Sequence, residues 1–140
     1  MIVLDTSGLL AALDTSEPAH RAARDAIDAD KGPFLISPFV LAELDYMLAS
    51  RNVDAEIDLL RQIGAGAYRL EPMGADDVLA ATDLVERYRD LNIGLADASI
   101  MLIADRARTR RLLTLDERHF RAVRPLSGGT FTILPSDRGG

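Results

Sequence analysis

Short apolar runs, each stopping at a polar turn or an acid and separated by helix-length segments, constrain this chain more than any other feature of its sequence. Ile2-Val3-Leu4 runs into Asp5-Thr6-Ser7-Gly8, Phe34-Leu35-Ile36 into Ser37-Pro38, and the segment 111–115 into Asp116. Two more strand-like stretches cover 67–70 and 130–134. Runs this short and this apolar suit strands buried on both faces, as in a parallel sheet. Between them, 8–13, 18–27, 38–50, 53–63, 76–91 and 95–107 carry apolar residues at helical spacing, with Ser37-Pro38 and Gly64-Ala65-Gly66 as start and stop signals. The alternation predicts an α/β fold, a three-layer α/β/α sandwich around a mostly parallel sheet of four to five strands. Residues 95–107 are apolar almost all round and read as a central helix.

At 140 residues and 48% hydrophobic content, the chain is long enough for one substantial core and too short for two ordinary domains. The expected division is a single domain over 1–134 followed by a polar tail, 135–140. Cysteine is absent, which excludes disulfides, thiolate nucleophiles and zinc ribbons and leaves oxygen donors and two histidines as potential metal ligands. His20 and His119 stand in no helical zinc spacing and are expected to be surface or packing residues. No apolar run approaches the roughly 18 residues of a membrane span, and the expectation is a soluble cytoplasmic protein that does not enter a membrane. A net charge of −6 and a pI near 4.8 disfavour binding nucleic acid through bulk charge, so any such contact must be local.

Ligands of open parallel sheets gather beyond the carboxyl ends of the strands, where Asp5 and Asp116 both fall. Either could instead be an ordinary helix cap. Asp97, in the first turn of the helix 95–107, could favour the dipole there or turn inward with Ile100, Met101 and Ala104. Glu43 sits among apolar neighbours, where a carboxylate is costly unless paired with a cation; Asp45 is similarly flanked, and periodicity does not choose between them. Converging acids without basic partners raise one another's pKa unless Mg²⁺ or Mn²⁺ neutralises them, and such an ion can also activate water for phosphodiester hydrolysis. Gly64-Ala65-Gly66 is only half of a dinucleotide fingerprint and follows a helix, so a nucleotide cofactor has little support.

Taken in order, Ile2-Val3-Leu4-Asp5-Thr6-Ser7, the helix with Ala42-Glu43, Leu95-Ala96-Asp97-Ala98-Ser99-Ile100 and the stretch from Leu113 through Asp116 to Phe120 resemble the PIN-domain family, especially the VapC-type toxins of bacterial toxin–antitoxin pairs. The resemblance spans essentially the whole chain. It implies an endoribonuclease that cuts structured RNA such as tRNA or rRNA, with Asp5, Glu43, Asp97 and Asp116 as catalytic metal ligands for Mg²⁺ or Mn²⁺. It further implies Thr6, Ser7, Ser99 and Thr114 as supporting hydroxyls, a cognate VapB-type antitoxin as partner, and a homodimer. For RNA contact the candidates are Arg106, Arg108, Arg110, Arg118, Arg121 and Arg124, each of which also reads as solvated or helix-end charge. Apolar faces around Leu9, Leu10 and Leu13, and along 18–28 and 53–63, are candidate partner surfaces.

Two other readings remain. A phosphatase of the haloacid-dehalogenase type would need a second acid two residues after the first, where this chain has Ser7. A catalytically idle module could use the same acidic pocket only to receive a basic partner.

Overall fold

In the computed structural model, which describes residues 1–138, three short strands carry the sheet's centre: β1 (Ile2–Leu4), β2 (Phe34–Ile36) and β4 (Arg111–Leu113). Two flanking strands, β3 (Arg69–Leu70) and β5 (Thr132–Leu134), complete a sheet of order β3-β2-β1-β4-β5 in which every pairing is parallel. Ile2, Val3 and Leu4 are all fully buried, because helices cover both faces of the sheet. The α/β/α expectation holds.

The helices are α1 (Thr6–Leu13), α2 (His20–Asp28), α3 (Pro38–Arg51), α4 (Val53–Gly64), α5 (Ala75–Arg87), α6 (Leu95–Ala107) and α7 (Glu117–Ala122). Helix α3 begins where the sequence signals it: Ser37 Oγ accepts the Phe39 N–H at 3.1 Å and Pro38 occupies the first turn. Asn52 then caps α4 through Ala55 N. Helix α6 is the buried one, with Ala98, Ser99, Ile100, Met101, Ile103 and Ala104 all inaccessible. Helix α1 lies so close to β4 that a Cβ on Gly8 would stand 2.3 Å from Leu113 O, so only glycine fits that position.

Several boundaries differ from the sequence pattern. The helix expected over 76–91 breaks at Tyr88 into a 3-10 turn, Arg89–Leu91, and Asn92 adopts the left-handed conformation (φ 55°) that ends it. Helix α2 starts at His20, whose Nδ1 lies 2.8 Å from Ala11 O and pins α2 to α1. Helix α7 has no counterpart in the pattern. Leu9 and Leu10 are core residues, whereas on α4 only Leu59 is buried and Val53, Ile57 and Leu60 are exposed. Among the described residues no helix is long and apolar enough to cross a membrane.

The strand order sets the site. The chain builds outward from β1 through β2 to β3, then returns across β1 to form β4. The switch therefore lies between β1 and β4, whose carboxyl ends are joined by Asp5 N–H donating to Leu113 O at 3.0 Å.

Candidate active site

Asp5 leaves β1 at this switch and occupies the position that would cap α1, yet its side chain makes no cap hydrogen bond. Its Oδ2 accepts instead from Thr114 Oγ1 at 2.6 Å and from Ser7 Oγ at 3.3 Å. The residue is 6% exposed. Burial pushes its pKa up, hydrogen bonds from Thr114 and Ser7 oppose that, and the nearby Asp116 charge adds to it. The capping alternative for Asp5 is thus not realised; its carboxylate faces the β4 side of the crevice.

Thr114, fully buried just after β4, does more than donate to Asp5. Its Oγ1 accepts Asp116 N–H at 2.9 Å, and Ser7 Oγ accepts Leu115 N–H at 2.9 Å. The two hydroxyls tie the β4 exit loop to the start of α1 and fix Asp5 relative to Asp116. Thr114→Val keeps the shape and removes both bonds, leaving a buried acceptor and a backbone donor short of partners. The expected loss is about 1–3 kcal/mol of stability, measured by urea unfolding at neutral pH; an unchanged midpoint would show that the hydroxyl does not organise the crevice.

Asp97 enters from the first turn of α6, half-buried. Its pKa is raised to about 6, by burial first and then by the charges of Asp5 and Asp116, with the His119 side opposing. Asp116 caps α7 through Oδ1, which accepts His119 N–H at 3.1 Å. Glu43 corrects one inference: it lies on the exposed side of α3, away from the buried Val40, Leu44 and Leu48, so the cost of burying a charge does not apply to it. Glu43 Oε1 accepts from Thr6 Oγ1 at 3.0 Å, and Glu43 and Asp97 line one groove of about 470 Å³ with Phe39, Asn92 and Leu95. Asp45 is close enough to Glu56 of α4 for a carboxyl–carboxylate hydrogen bond that raises the Glu56 pKa.

The structure thus brings Asp5, Asp97 and Asp116 within electrostatic reach of one another and sets Glu43 on the groove that Asp97 opens into. Thr6, Ser7 and Thr114 each touch one of these acids. Ser99 does not: its hydroxyl lies 2.7 Å from Ser37 Oγ and 2.6 Å from Ala96 O, bracing α6 against the start of α3.

His119 joins the acids, against the expectation of a surface or packing role. Its Nδ1 stands 2.8 Å from Asp116 Oδ2 and 3.6 Å from Asp97 Oδ2. One donor atom each from Asp97, Asp116 and His119 falls within 4.8 Å of the other two. The signal that could have found it is the three-residue spacing Asp116-x-x-His119, which turns both side chains to one side once a helix starts at Glu117.

The arginines are dispersed. Helix α6, 13 residues long with Asp97 in its first turn, runs back from Asp97 for about 15 Å, and Arg106, Arg108 and Arg110 line a concavity at the opposite end of the sheet. Arg106 pairs with Asp77 there, and Arg110 reaches Ser127. Arg121 is held by Glu117 and Asp137, and Arg124 donates to Gly129 O. Arg118 is exposed on the first turn of α7, next to the acids in sequence, with no side-chain partner among the described residues.

Comparison with known proteins agrees with this arrangement. The PIN domain family matches residues 2–125. Ribonuclease VapC26 of Mycobacterium tuberculosis (strain ATCC 25618 / H37Rv) is 47% identical over 135 residues, 96% of this chain and all of the relative. The crystal structure of Mycobacterium tuberculosis VapC20, described as a Sarcin-Ricin loop cleaving toxin, superposes with a TM-score of 0.76 at 20% identity, covering 83% of this chain and 90% of that one. With its parallel sheet, its acids at the β1/β4 switch and these matches, the chain belongs to the PIN-domain family and is of the VapC type.

Proposed function

We propose that this chain is a metal-dependent endoribonuclease that hydrolyses phosphodiester bonds in structured RNA, tRNA or rRNA, as the toxin of a VapBC-type pair in the cytoplasm. The observation that carries the reading is the convergence of Asp5, Asp97 and Asp116 at one crevice with no Lys or Arg paired to any of them among the described residues. Near identity of length and 47% sequence identity to a protein named a ribonuclease support it.

The donor set fits a hard divalent cation. Burial and neighbouring carboxylates raise the pKa of Asp5 and Asp97, and a site with this surplus of negative charge and oxygen ligands suits Mg²⁺ or Mn²⁺ held by Asp5, Glu43, Asp97 and Asp116. Bound there, the ion would offset that charge and lower the pKa of water for attack on phosphorus. Thr114 and Ser7 hold the Asp5 carboxylate in place, and Thr6 does the same for Glu43, so neither acid needs to reorganise when RNA arrives. The groove bounded by Phe39 and Leu95 leads to Asp97 and gives an RNA strand a path to the acids. Arg118, exposed on α7 two residues from Asp116, would meet a phosphate there.

Partners in this reading are the RNA, a VapB-type antitoxin and a second copy of the chain. Exposed Val53, Ile57 and Leu60 at helical spacing on α4, with Tyr46 of α3, are available to a protein partner. The test is incubation of the purified protein with total bacterial RNA in Mg²⁺ or Mn²⁺, with EDTA as control. Discrete fragments that require metal are expected; silence across RNAs and metals would count against the nuclease.

A further inference from the structure

We propose that His119 is a nitrogen ligand of the divalent ion at this site, beside Asp97 and Asp116, and that it tilts the site from Mg²⁺ towards first-row transition ions such as Mn²⁺ and Co²⁺. The inference rests on the metal-dependent reading above. It starts from three spacings: His119 Nδ1 is 2.8 Å from Asp116 Oδ2 and 3.6 Å from Asp97 Oδ2, and donor atoms of all three residues fit within 4.8 Å. Ligands at right angles around an ion with bonds of about 2.1 Å stand about 3 Å apart; His119 Nδ1 and Asp116 Oδ2 already have that spacing, and Asp97 Oδ2, at 3.6 Å from the ring nitrogen, stands little beyond it.

A capping role does not explain the imidazole. Asp116 completes its cap through Oδ1 and the His119 backbone N–H, at 3.1 Å, and this bond forms whatever side chain stands at 119. The ring instead approaches the other carboxylate oxygen, Oδ2, and leans towards Asp97 on a different helix. At 22% exposure it is largely withdrawn from solvent and held between the two acids. On metal binding the ion takes the place of the proton between Nδ1 and Asp116 Oδ2, and the ring ligates as the neutral tautomer with its proton on Nε2. Mg²⁺ prefers oxygen and keeps its waters, whereas affinity for a site containing nitrogen rises from Mn²⁺ to Co²⁺ along the first row.

The rival account makes His119 a positioning residue that only donates to Asp116. His119→Asn separates the two, because its amide N–H can still donate to Asp116 while offering no nitrogen lone pair. Calorimetric titrations of Mn²⁺, Co²⁺ and Mg²⁺ into wild type, His119→Asn and Asp97→Asn are the experiment, with pulsed electron paramagnetic resonance of the Mn²⁺ forms. Wild type should show ¹⁴N coupling to Mn²⁺, assignable because the only other histidine, His20, sits at the α1–α2 junction. His119→Asn should lose that coupling and bind Mn²⁺ at least about 10-fold more weakly, Co²⁺ weaker still, with Mg²⁺ changed by less than about 2-fold. Equal affinities in wild type and His119→Asn, an equal loss for all three ions, or a wild-type spectrum without nitrogen coupling would overturn the ligand assignment alone. Failure of the wild type to bind any of the ions, or undiminished binding by Asp97→Asn, would overturn the metal reading of the acids as well.

Discussion

Replacing Asp5 and Asp97 together by Asn lowers the rate of RNA cleavage by about three orders of magnitude or more while the protein stays folded. Both carboxylates face the crevice at the β1/β4 switch, and neither change strips a helix start of its bonds: Asp5 makes no cap bond to α1, and the Gly94 N–H that Asp97 accepts at the start of α6 can be accepted by an amide oxygen as well. In the Asp5→Asn change the new amide oxygen can still accept from Thr114, so the local hydrogen bonding survives. What disappears is two negative charges and two anionic oxygen ligands, which an amide does not replace for a hard cation. Affinity for RNA should hold or rise in the same variant, because the charges that repel phosphate are gone. Single-turnover cleavage of an end-labelled RNA, with circular dichroism to confirm the fold, measures both effects. Cleavage within tenfold of wild type would remove these acids from the reaction centre. Glu43→Gln and Asp45→Asn make a matched pair in the same assay: the first should impair cleavage and the second should not, because Asp45 lies beside Glu56 of α4.

That pair also marks where the sequence is informative. Strands are legible because Ile2-Val3-Leu4 and Phe34-Leu35-Ile36 are apolar on both faces and end at strong helix-start signals, and parallel order follows from the helices between them. Asp5, Asp97 and Asp116 are legible because strand ends and helix starts are where a parallel sheet opens. Glu43 is reached only through family resemblance, because the residue is exposed and pays no burial cost that a cation would have to offset. Its helix buries only the stripe Val40, Leu44, Leu48 and exposes the side that carries Glu43. Helix α7 escapes the pattern because six residues with one buried side chain, Phe120, show no period, and His119 is lost with it. The arginines mislead for a related reason. Closeness to Asp116 in sequence suggests a shared surface, but α6 runs back across the sheet and carries Arg106, Arg108 and Arg110 away from the acids.

The acids that make this site also weigh against the fold, and Asp97→Asn should expose the conflict as a gain in stability. Asp97 titrates near 6 in the folded, metal-free protein against an ordinary value of 3.8, because burial and the charges of Asp5 and Asp116 disfavour its ionised form. A carboxyl group with a raised folded pKa supports folding fully below its unfolded pKa, and that support is lost as pH rises through the folded value. Below pH ~4 Asp97 is neutral in both states and resembles Asn, so wild type and variant should melt together. Above pH ~6 the wild type carries the penalty and the variant does not, a difference of about 3 kcal/mol. For a chain of this size that is a rise in Tm on the order of 10 °C for Asp97→Asn. The difference between the two proteins isolates this group from carboxylates such as Asp30 and Asp137, whose lowered pKa values act in the opposite direction in both. Scanning melts of the two metal-free proteins from pH 4 to pH 8 should therefore diverge as the pH rises. Adding Mn²⁺ at pH 7.5 should raise the wild-type Tm and close the gap, because a cation that binds only the folded state removes the repulsion the variant lacks. Coincident melting curves at every pH would mean that the three carboxylates do not strain one another, and the argument that their convergence calls for a metal would lose its energetic basis.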